Sequence, residues 1–438
     1  MKIKYPVLFL IALLAGLNSC DKDFEEININ PVAMTTMDPV YEFADAQRNS
    51  ARTDHTYPGQ IVQQIITPYG GVLEGGNRNT FNDSNANGTF NGLFQGPVRA
   101  LVDVIEKTKD DPVRSNLYNM ARIWKAYCFM LLVDTYGDVP YSEAGRGYLD
   151  ATFLPKYDDQ KVIYADILKE LEEATDALDA TKVKASGELF YKGDIAKWKK
   201  LGNSLLLRAG MRYTKYDASV AEAAAAKAVD PSRGGVMSSN DDNAFIQYSD
   251  VFTFGLGNTL NGGERHNYYV GAPFVDYLKL TNDPRMLFTV VKYEIPTNPL
   301  ATAGAANTNP GDQQGMPYGY DETTLLNAPG FPGKIGAAYA YSQFNRATVA
   351  KTTEKFFYVT YACTQLLLAE AAHRGYITTG TAEEYYEAGI RGALSQHGND
   401  YGEAYASTVE QQDAFLAGAE IAFDPDRALE QINSQYWV

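Results

Sequence analysis

The 438-residue sequence contains very little cysteine, tryptophan and histidine, with 3, 3 and 4 residues respectively. A chain with so few thiols is not a disulfide-stapled scaffold, so a hydrophobic core must stabilise it. The histidines lie far apart in the sequence, which favours separate structural roles over a shared catalytic site. They are His55, His266, His373 and His397.

Two of the cysteines, Cys128 and Cys363, each lie within an apolar pattern of helical period. Free cysteine behaves as a small buried apolar residue, so two buried thiols are the favoured interpretation. The alternative is a single disulfide between these two distant positions.

Positive charge is also scarce. The chain has 38 lysines and arginines against 54 aspartates and glutamates, giving a net charge of −16. This balance argues against nucleic-acid binding, which needs a face rich in lysine and arginine. It argues equally against docking on anionic lipid. Only one long apolar run occurs, from Pro6 to Leu17, so nothing after Cys20 is expected to span a membrane.

That apolar run follows Lys2 and Lys4 and is too short for a transmembrane helix, which is typical of a secretory signal peptide. It ends at Leu17-Asn18-Ser19-Cys20, which resembles a lipobox. We therefore expect residues 1–19 to be removed and Cys20 to be acylated, with an ordinary signal peptide and an incidental cysteine as the alternative. Each buried methylene contributes about 0.8 kcal/mol, so several acyl chains would anchor the protein stably.

The acids that follow Cys20, beginning with Asp21 and Asp23, would form a solvated tether between the anchor and the folded chain. They resemble the surface-export signal of Bacteroidetes-like lipoproteins. The resemblance implies transfer to the outer face of the outer membrane.

Apolar residues at a spacing of 3.6 predict a mostly helical fold. In the strongest example Leu117, Met120, Trp124 and Cys128 form one stripe. Short turns between helices favour tetratricopeptide-like stacking of helix pairs. The predicted helices are residues 39–52, 59–67, 97–108, 112–136, 159–180, 194–213, 217–229, 358–374 and 382–396.

Two stretches, 70–92 and 238–353, are rich in Gly, Asn and Pro and do not fit the helical pattern. Long irregular segments in a compact protein are usually functional, and their many aromatic residues argue against simple disorder. The sequence therefore predicts that the binding site lies on these loops.

Catalytic signatures are missing from the sequence: it has no Walker-type loop, no HExxH pair and no GxSxG elbow. We expect no enzymatic activity and no cofactor. One metal-like pattern occurs, because Asp83, Asn85 and Asn87 before Gly88 match the opening of an EF-hand calcium loop. Phe94 stands where that loop needs a bidentate glutamate, so a calcium site is only a minor alternative.

The helical segments carry a family resemblance. The blocks "ARIWKAYCFMLLVDTYGDVPYSEA", "LPKYDDQKVIYADILKELEEA" and "FYKGDIAKWKKLGNSLLLRAGMR" resemble the RagB/SusD family in order and spacing. So do "TQLLLAEAAHRGY" and "YYEAGIRGAL" in the last third. The resemblance runs from about Cys20 to the end. Family members generally continue past "QINSQYW" with a further segment, so we expect that tail to be missing here.

This resemblance implies a single helical domain over residues 20–438, anchored to the outer membrane. It implies capture of extracellular glycans, or of oligopeptides, and their delivery to a SusC-like TonB-dependent transporter. In the family, loop aromatics and polar groups hold the ligand. The matching candidates here are Tyr69, Arg78, Phe81, Asn82, Tyr268, Tyr269, Tyr318, Tyr320 and Tyr341.

Alternatives to these assignments stay open. Each candidate aromatic residue could instead only pack its own loop, because aromatic side chains are mostly buried. At the level of function, the alternatives are a membrane-anchored glycoside hydrolase and a transporter lid without a ligand of its own. A lid of that kind predicts loops without an exposed aromatic cluster.

Overall fold

The computed structural model describes residues 37–51, 56–69, 83–398 and 400–438. The predicted signal peptide and Cys20 lie outside the described residues. Contacts divide the chain into residues 1–38 and a second unit, Pro39–Val438, which contains the fold presented here. Of the first unit, only Met37 and Asp38 are described.

Helices dominate the described residues. A π-helical turn, Phe94–Val98, precedes the fourth α-helix. In chain order the α-helices are α1 Pro39–Asn49, α2 Thr56–Ile61, α3 Asp83–Leu93, α4 Arg99–Thr108, α5 Ser115–Tyr136, α6 Gly147–Asp150, α7 Gln160–Ala177, α8 Ile195–Met211, α9 Ala218–Ala228, α10 Gly255–Asn261, α11 Ala272–Leu280, α12 Met286–Thr289, α13 Tyr361–His373, α14 Ala382–Ser395, α15 Val409–Leu416 and α16 Ala428–Trp437.

The strands are short and form small antiparallel pairs. They are β1 Ile65–Ile66, β2 Val139–Pro140, β3 Tyr157–Asp158, β4 Ala244–Gln247, β5 Tyr269–Val270, β6 Val290–Tyr293, β7 Ala306–Asn307, β8 Lys334–Ile335, β9 Ala338–Tyr339, β10 Gln343–Phe344 and β11 Lys355–Val359. The pairs are β1–β5, β2–β3, β4–β11 and β8–β9, and β6 lies between β10 and β7.

The helical core forms around α5. Trp124 is fully buried and donates from its indole N–H to Ser50 Oγ at 3.0 Å. Its ring stacks on Tyr127 at 4.4 Å, and the edges of Phe190 and Tyr358 meet it at 4.7 and 5.1 Å. These rings come from α5, β11 and the segment before α8, so the predicted stripe on α5 holds distant parts of the chain together.

Successive helices pack as pairs: α5 with α7, α7 with α8, α8 with α9, and α13 with α14. This is the predicted tetratricopeptide-like stack. The α7–α8 crossing is close, because a Cβ on Gly202 would lie only 2.0 Å from Thr175 Oγ1. Only glycine fits at that crossing.

Both remaining cysteines are free thiols, Cys128 buried and Cys363 partly buried. The alternative of a disulfide between them is therefore wrong. Burial raises the pKa of the Cys128 thiol to about 12, so this residue is an apolar part of the core.

Most predicted helices are confirmed within a few residues, and two predictions are wrong. The predicted helix 59–67 instead begins at Thr56, ends at Ile61 and is followed by strand β1. The stretch 70–92, predicted to be irregular, contains helix α3 in its second half. Residues 238–353 are loop-rich as predicted, with only short helices and strands.

Candidate functional site: a tyrosine cluster on the loops

The loop-rich part of the chain contains a group of packed aromatic side chains, which we call the tyrosine cluster. Its members come from segments that are far apart in sequence. It consists of Tyr69, Tyr269, Tyr318, Tyr320, Phe331, Tyr339 and Tyr341, packed with Ile66, Met316, Leu325 and Ala328.

Backbone hydrogen bonds hold the contributing segments side by side. Strand β1 pairs with β5, so that Ile66 lies opposite Tyr269. The Met316 N–H donates to the Val270 carbonyl at 2.9 Å, which brings the segment carrying Tyr318 alongside β5. The segments that bear the rings of the tyrosine cluster are therefore held in position by backbone hydrogen bonds to one another.

The β8–β9 hairpin adds the third part of the cluster. The Tyr269 hydroxyl accepts from the Tyr339 N–H at 2.9 Å and donates to the His266 carbonyl at 2.5 Å. One buried phenol thus connects the hairpin to the segment before β5. At the outer side of the hairpin, Lys334 Nζ lies 4.9 Å from the centre of the Tyr339 ring.

Tyr339 is the central ring of the cluster. Its centroid lies 6.1 Å from each of the centroids of Tyr69, Tyr269 and Phe331. The pairs are tilted or edge-on, which is the favoured geometry of aromatic side chains. The rings therefore form one packed unit.

The cluster has a buried base and a partly exposed upper layer. Tyr269, Tyr339 and Tyr341 are 0%, 2% and 3% exposed and form the base. The upper layer consists of half-buried residues, which keep part of each ring accessible: Tyr69, Tyr318, Tyr320 and Phe331.

Burial keeps five phenols of the cluster neutral at physiological pH by raising the pKa of Tyr69, Tyr269, Tyr318, Tyr339 and Tyr341. Burial, together with the neighbouring Tyr69, raises the pKa of Tyr339 to about 12. A neutral phenol can both donate and accept a hydrogen bond. The Tyr318 hydroxyl already donates to the Ile65 carbonyl, so it can still accept a hydrogen bond from a polar ligand group.

Gly271 fixes the position of Tyr318 in the upper layer. A Cβ on Gly271 would lie 2.6 Å from the Gln63 carbonyl oxygen and 2.8 Å from Tyr318 Cε2. The Tyr318 hydroxyl in turn donates to the Ile65 carbonyl at 2.7 Å. Only glycine allows the ring to approach the backbone so closely.

Five of the predicted ligand-binding residues meet in this cluster: Tyr69, Tyr269, Tyr318, Tyr320 and Tyr341. Two of them, Tyr269 and Tyr341, are buried and pack the loops, as the alternative interpretation of aromatic residues stated. Tyr268 belongs to a neighbouring apolar group with Ile65 and Leu260. The other three candidates, Arg78, Phe81 and Asn82, lie outside the described residues.

The sequence reasoning missed Tyr339 and Phe331. A signal for Tyr339 exists in "AYAYS", because residues two apart lie on the same side of an extended chain, as Tyr339 and Tyr341 do here. Phe331 lies in a Gly/Pro-rich turn and has no such periodic neighbour.

The minor alternative of a calcium loop does not fit the fold. The segment from Asp83 is the start of helix α3, whereas the EF-hand loop winds around its ion and is not helical. Across the described ranges, no group of three or more His, Cys, Asp or Glu side chains could hold a metal ion.

Comparison with known proteins agrees with this architecture. Residues 23–438 match the SusD-like family, described as starch-binding and associating with the outer membrane. The chain belongs to this family. The RagB/SusD resemblance is thereby confirmed over nearly the whole sequence. Within the described part of this SusD-like chain, no helix has both the length and the apolar character needed to cross a bilayer.

Solved structures share the fold. A chitin-binding protein is 28% identical with a TM-score of 0.73, and the match covers 91% of this chain and 83% of that one. A SusD-like protein of Bacteroidetes AC2a is 24% identical with a TM-score of 0.76, over 92% and 85%. A chitin-binding SusD homolog from Flavobacterium johnsoniae is 22% identical with a TM-score of 0.72, over 91% and 82%. Among curated proteins, none matches this chain.

Proposed function

We propose that this SusD-like chain captures extracellular glycans through the upper layer of the tyrosine cluster. The observation that carries the proposal is the convergence of seven aromatic rings from separate loops, four of them partly exposed. Sugar rings present C–H faces that stack on aromatic rings, and neutral phenols can bind their hydroxyls. The family description and the two chitin-binding neighbours support a saccharide as the ligand.

The chain would act at the outer face of the outer membrane, tethered by acyl groups on Cys20. The lipobox-like "LNSC" and the acids after it support this placement, as does the family's association with the outer membrane. The captured glycan would pass to a SusC-like TonB-dependent transporter, which is the partner that the family resemblance implies. No chemical step is part of the proposal.

One alternative can be weighed against the structure, and two others are left to experiment. A lid without its own ligand predicts loops lacking an exposed aromatic cluster, and the half-buried rings of Tyr69, Tyr318 and Tyr320 argue against it. A peptide ligand would also use aromatic rings, so the binding experiment includes peptides. A glycoside hydrolase would release shorter products from the same oligosaccharides, and we expect no such release.

The binding test compares wild-type full-length chain with Tyr320→Ala by isothermal titration calorimetry. The ligands are oligosaccharides of chitin and starch and a mixture of oligopeptides. Loss of one stacking ring is worth about 1 kcal/mol, so we expect about fivefold weaker glycan binding. The matched control is Tyr148→Ala, because Tyr148 lies on α6 and is 89% exposed outside the cluster. Equal glycan affinity in both variants, or binding of peptides alone, would contradict the proposal.

The anchor and the partner are tested separately. Cys20→Ser removes the only thiol that the signal sequence offers for acylation, so the variant should leave the membrane fraction and lose its acyl mass. Wild-type chain purified from membranes should retain a large TonB-dependent barrel. An unchanged membrane distribution of Cys20→Ser would refute lipid anchoring without affecting the glycan proposal.

A further inference from the structure

A second aromatic cleft lies on the helical stack and shares no residue with the tyrosine cluster. It forms where the C-terminal end of α5, the N-terminal end of α7 and the turn after α8 meet. Its volume is about 390 Å³, which is within the range of about 300–1,000 Å³ for small-molecule sites. We call it the helix-end cleft. It is lined by Val133, Asp134, Gln160, Lys161, Tyr164, Arg212, Tyr213 and Tyr216.

Three tyrosines supply the aromatic wall of the helix-end cleft. Tyr213 lies 6.1 Å from Tyr164 and 6.0 Å from Tyr216, measured between ring centroids. Tyr216 is 63% exposed, so much of its ring faces water. An exposed ring beside a cavity is suited to stacking against the C–H face of a sugar.

Asp134 supplies an oriented acceptor in the same cleft. Its Oδ1 accepts from the Tyr164 hydroxyl, and its Oδ2 accepts from Arg212 Nη2 at 2.8 Å. A carboxylate has about four lone-pair positions, so these two bonds leave capacity for hydroxyl groups of a ligand. Burial and the Asp134 charge keep Tyr164 protonated by raising its pKa, so the phenol remains the donor in this bond.

Donors complement that acceptor. Lys161 Nζ lies 5.0 Å from the centre of the Tyr216 ring, at the edge of the cleft. The lining contains one carboxylate, Asp134, and two cations, Arg212 and Lys161, so one positive charge is left over after Arg212 pairs with Asp134. The net charge of −16 on the whole chain opposes the approach of a phosphate or another anion, and it does not oppose a neutral ligand. An aromatic ring, a hydrogen-bond acceptor and hydrogen-bond donors together suit a neutral ligand that carries several hydroxyl groups.

We propose that the helix-end cleft is a second binding site, specific for a neutral saccharide and independent of the tyrosine cluster. The proposal goes beyond the function above, because it holds whether or not the loops bind glycan. A peptide segment of a protein partner is the competing occupant, and the test separates the two.

The test titrates the full-length chain with short neutral oligosaccharides, so that each bound molecule occupies only one site. The panel contains tri- and tetrasaccharide fragments of chitin, starch, xylan and mannan. Tyr216→Ala should remove one class of sites or weaken it at least about fivefold, and Tyr216→Phe, which keeps the ring, should restore it. Tyr148→Ala should bind like wild type, and circular dichroism should show that every variant remains folded.

Two results would overturn this assignment. One is that no oligosaccharide of the panel binds in a Tyr216-dependent manner at millimolar concentration. The other is that short peptides, and not saccharides, show the Tyr216-dependent binding. If Tyr320→Ala loses binding while the Tyr216-dependent binding stays intact, the proposal for the helix-end cleft stands. Failure of the helix-end cleft proposal is therefore distinguishable from failure of the proposed site on the tyrosine cluster.

Discussion

Substitution of Gly271 by alanine should damage both stability and glycan capture. The new methyl group would lie 2.6 Å from the Gln63 carbonyl oxygen and 2.8 Å from the Tyr318 ring. The carbonyl cannot withdraw freely, because Gly271 N–H is itself bonded to the neighbouring Gln64 carbonyl at 2.8 Å. The Tyr318 ring must therefore shift, which breaks or lengthens its 2.7 Å bond to Ile65.

Overpacking of this kind costs about 1–3 kcal/mol. Unfolding entropy scales with chain length at about 2.1 cal/mol/K per residue, so the melting temperature should fall by roughly 1–4 °C in a protein of this size. Differential scanning calorimetry of the full-length chain measures that change. Calorimetric titration with the glycan bound by the wild type should show several-fold weaker binding, because Tyr318 belongs to the upper layer of the cluster.

Gly263→Ala is the matched control for this experiment. It makes the same substitution eight positions earlier in the chain, where no atom lies within 4 Å of the added Cβ. It should melt and bind like the wild type. If Gly271→Ala behaves like Gly263→Ala in both assays, then the contact between Gly271 and Tyr318 does not organise the site and the reasoning fails.

Two further predictions concern stability. Burial lowers the pKa of His397 to about 4, below the value near 6.5 of an unfolded histidine. The neutral His397 side chain therefore contributes up to about 3 kcal/mol to the free energy of unfolding, and this contribution is complete above pH 6.5 and is lost as the pH falls towards 4. His397→Phe removes the ionisable group, so its free energy of unfolding, measured with urea, should rise relative to that of the wild type as the pH falls from 6.5 to 4. Parallel pH profiles of the two proteins would contradict this assignment. The buried Glu188 carboxylate accepts from Gln47 Nε2 at 3.0 Å and from the Phe190, Tyr191 and Gly193 N–H groups, each at 2.8 Å. Glu188→Gln replaces one of the two acceptor oxygens by an NH2 donor, which would face N–H groups, and should lower the free energy of unfolding by about 1.5–3 kcal/mol. An unchanged urea midpoint would show that the carboxylate is dispensable.

The helical stack was predictable because its signals are local. The apolar stripe around Trp124 and the small residue Gly202 both indicate helix packing, and each can be recognised from the residues of a single segment. Helix α3 was not predictable in this way, because Asn and Gly have low helix propensity. Tertiary contacts compensate: the Tyr136 hydroxyl donates to the Ala86 carbonyl at 2.5 Å and accepts from the Phe90 N–H at 3.0 Å.

The site was predictable only in part, because its geometry depends on pairing between distant segments. The sequence indicated that loop tyrosines matter, yet nothing local distinguishes buried Tyr269 from half-buried Tyr318. That difference arises because Ile66 pairs with Tyr269 across β1 and β5, about 200 residues apart along the chain. The same pairing explains why the predicted helix 59–67 ends early at Ile61.

The backbone links among the tyrosine-bearing loops have a thermodynamic consequence for recognition. Because folding has already immobilised these rings, an arriving sugar would not have to order them, and little conformational entropy would be lost on the protein side. Differences in affinity among saccharides would then reflect how well each one fits a rigid surface, and they would show mainly in dissociation rates.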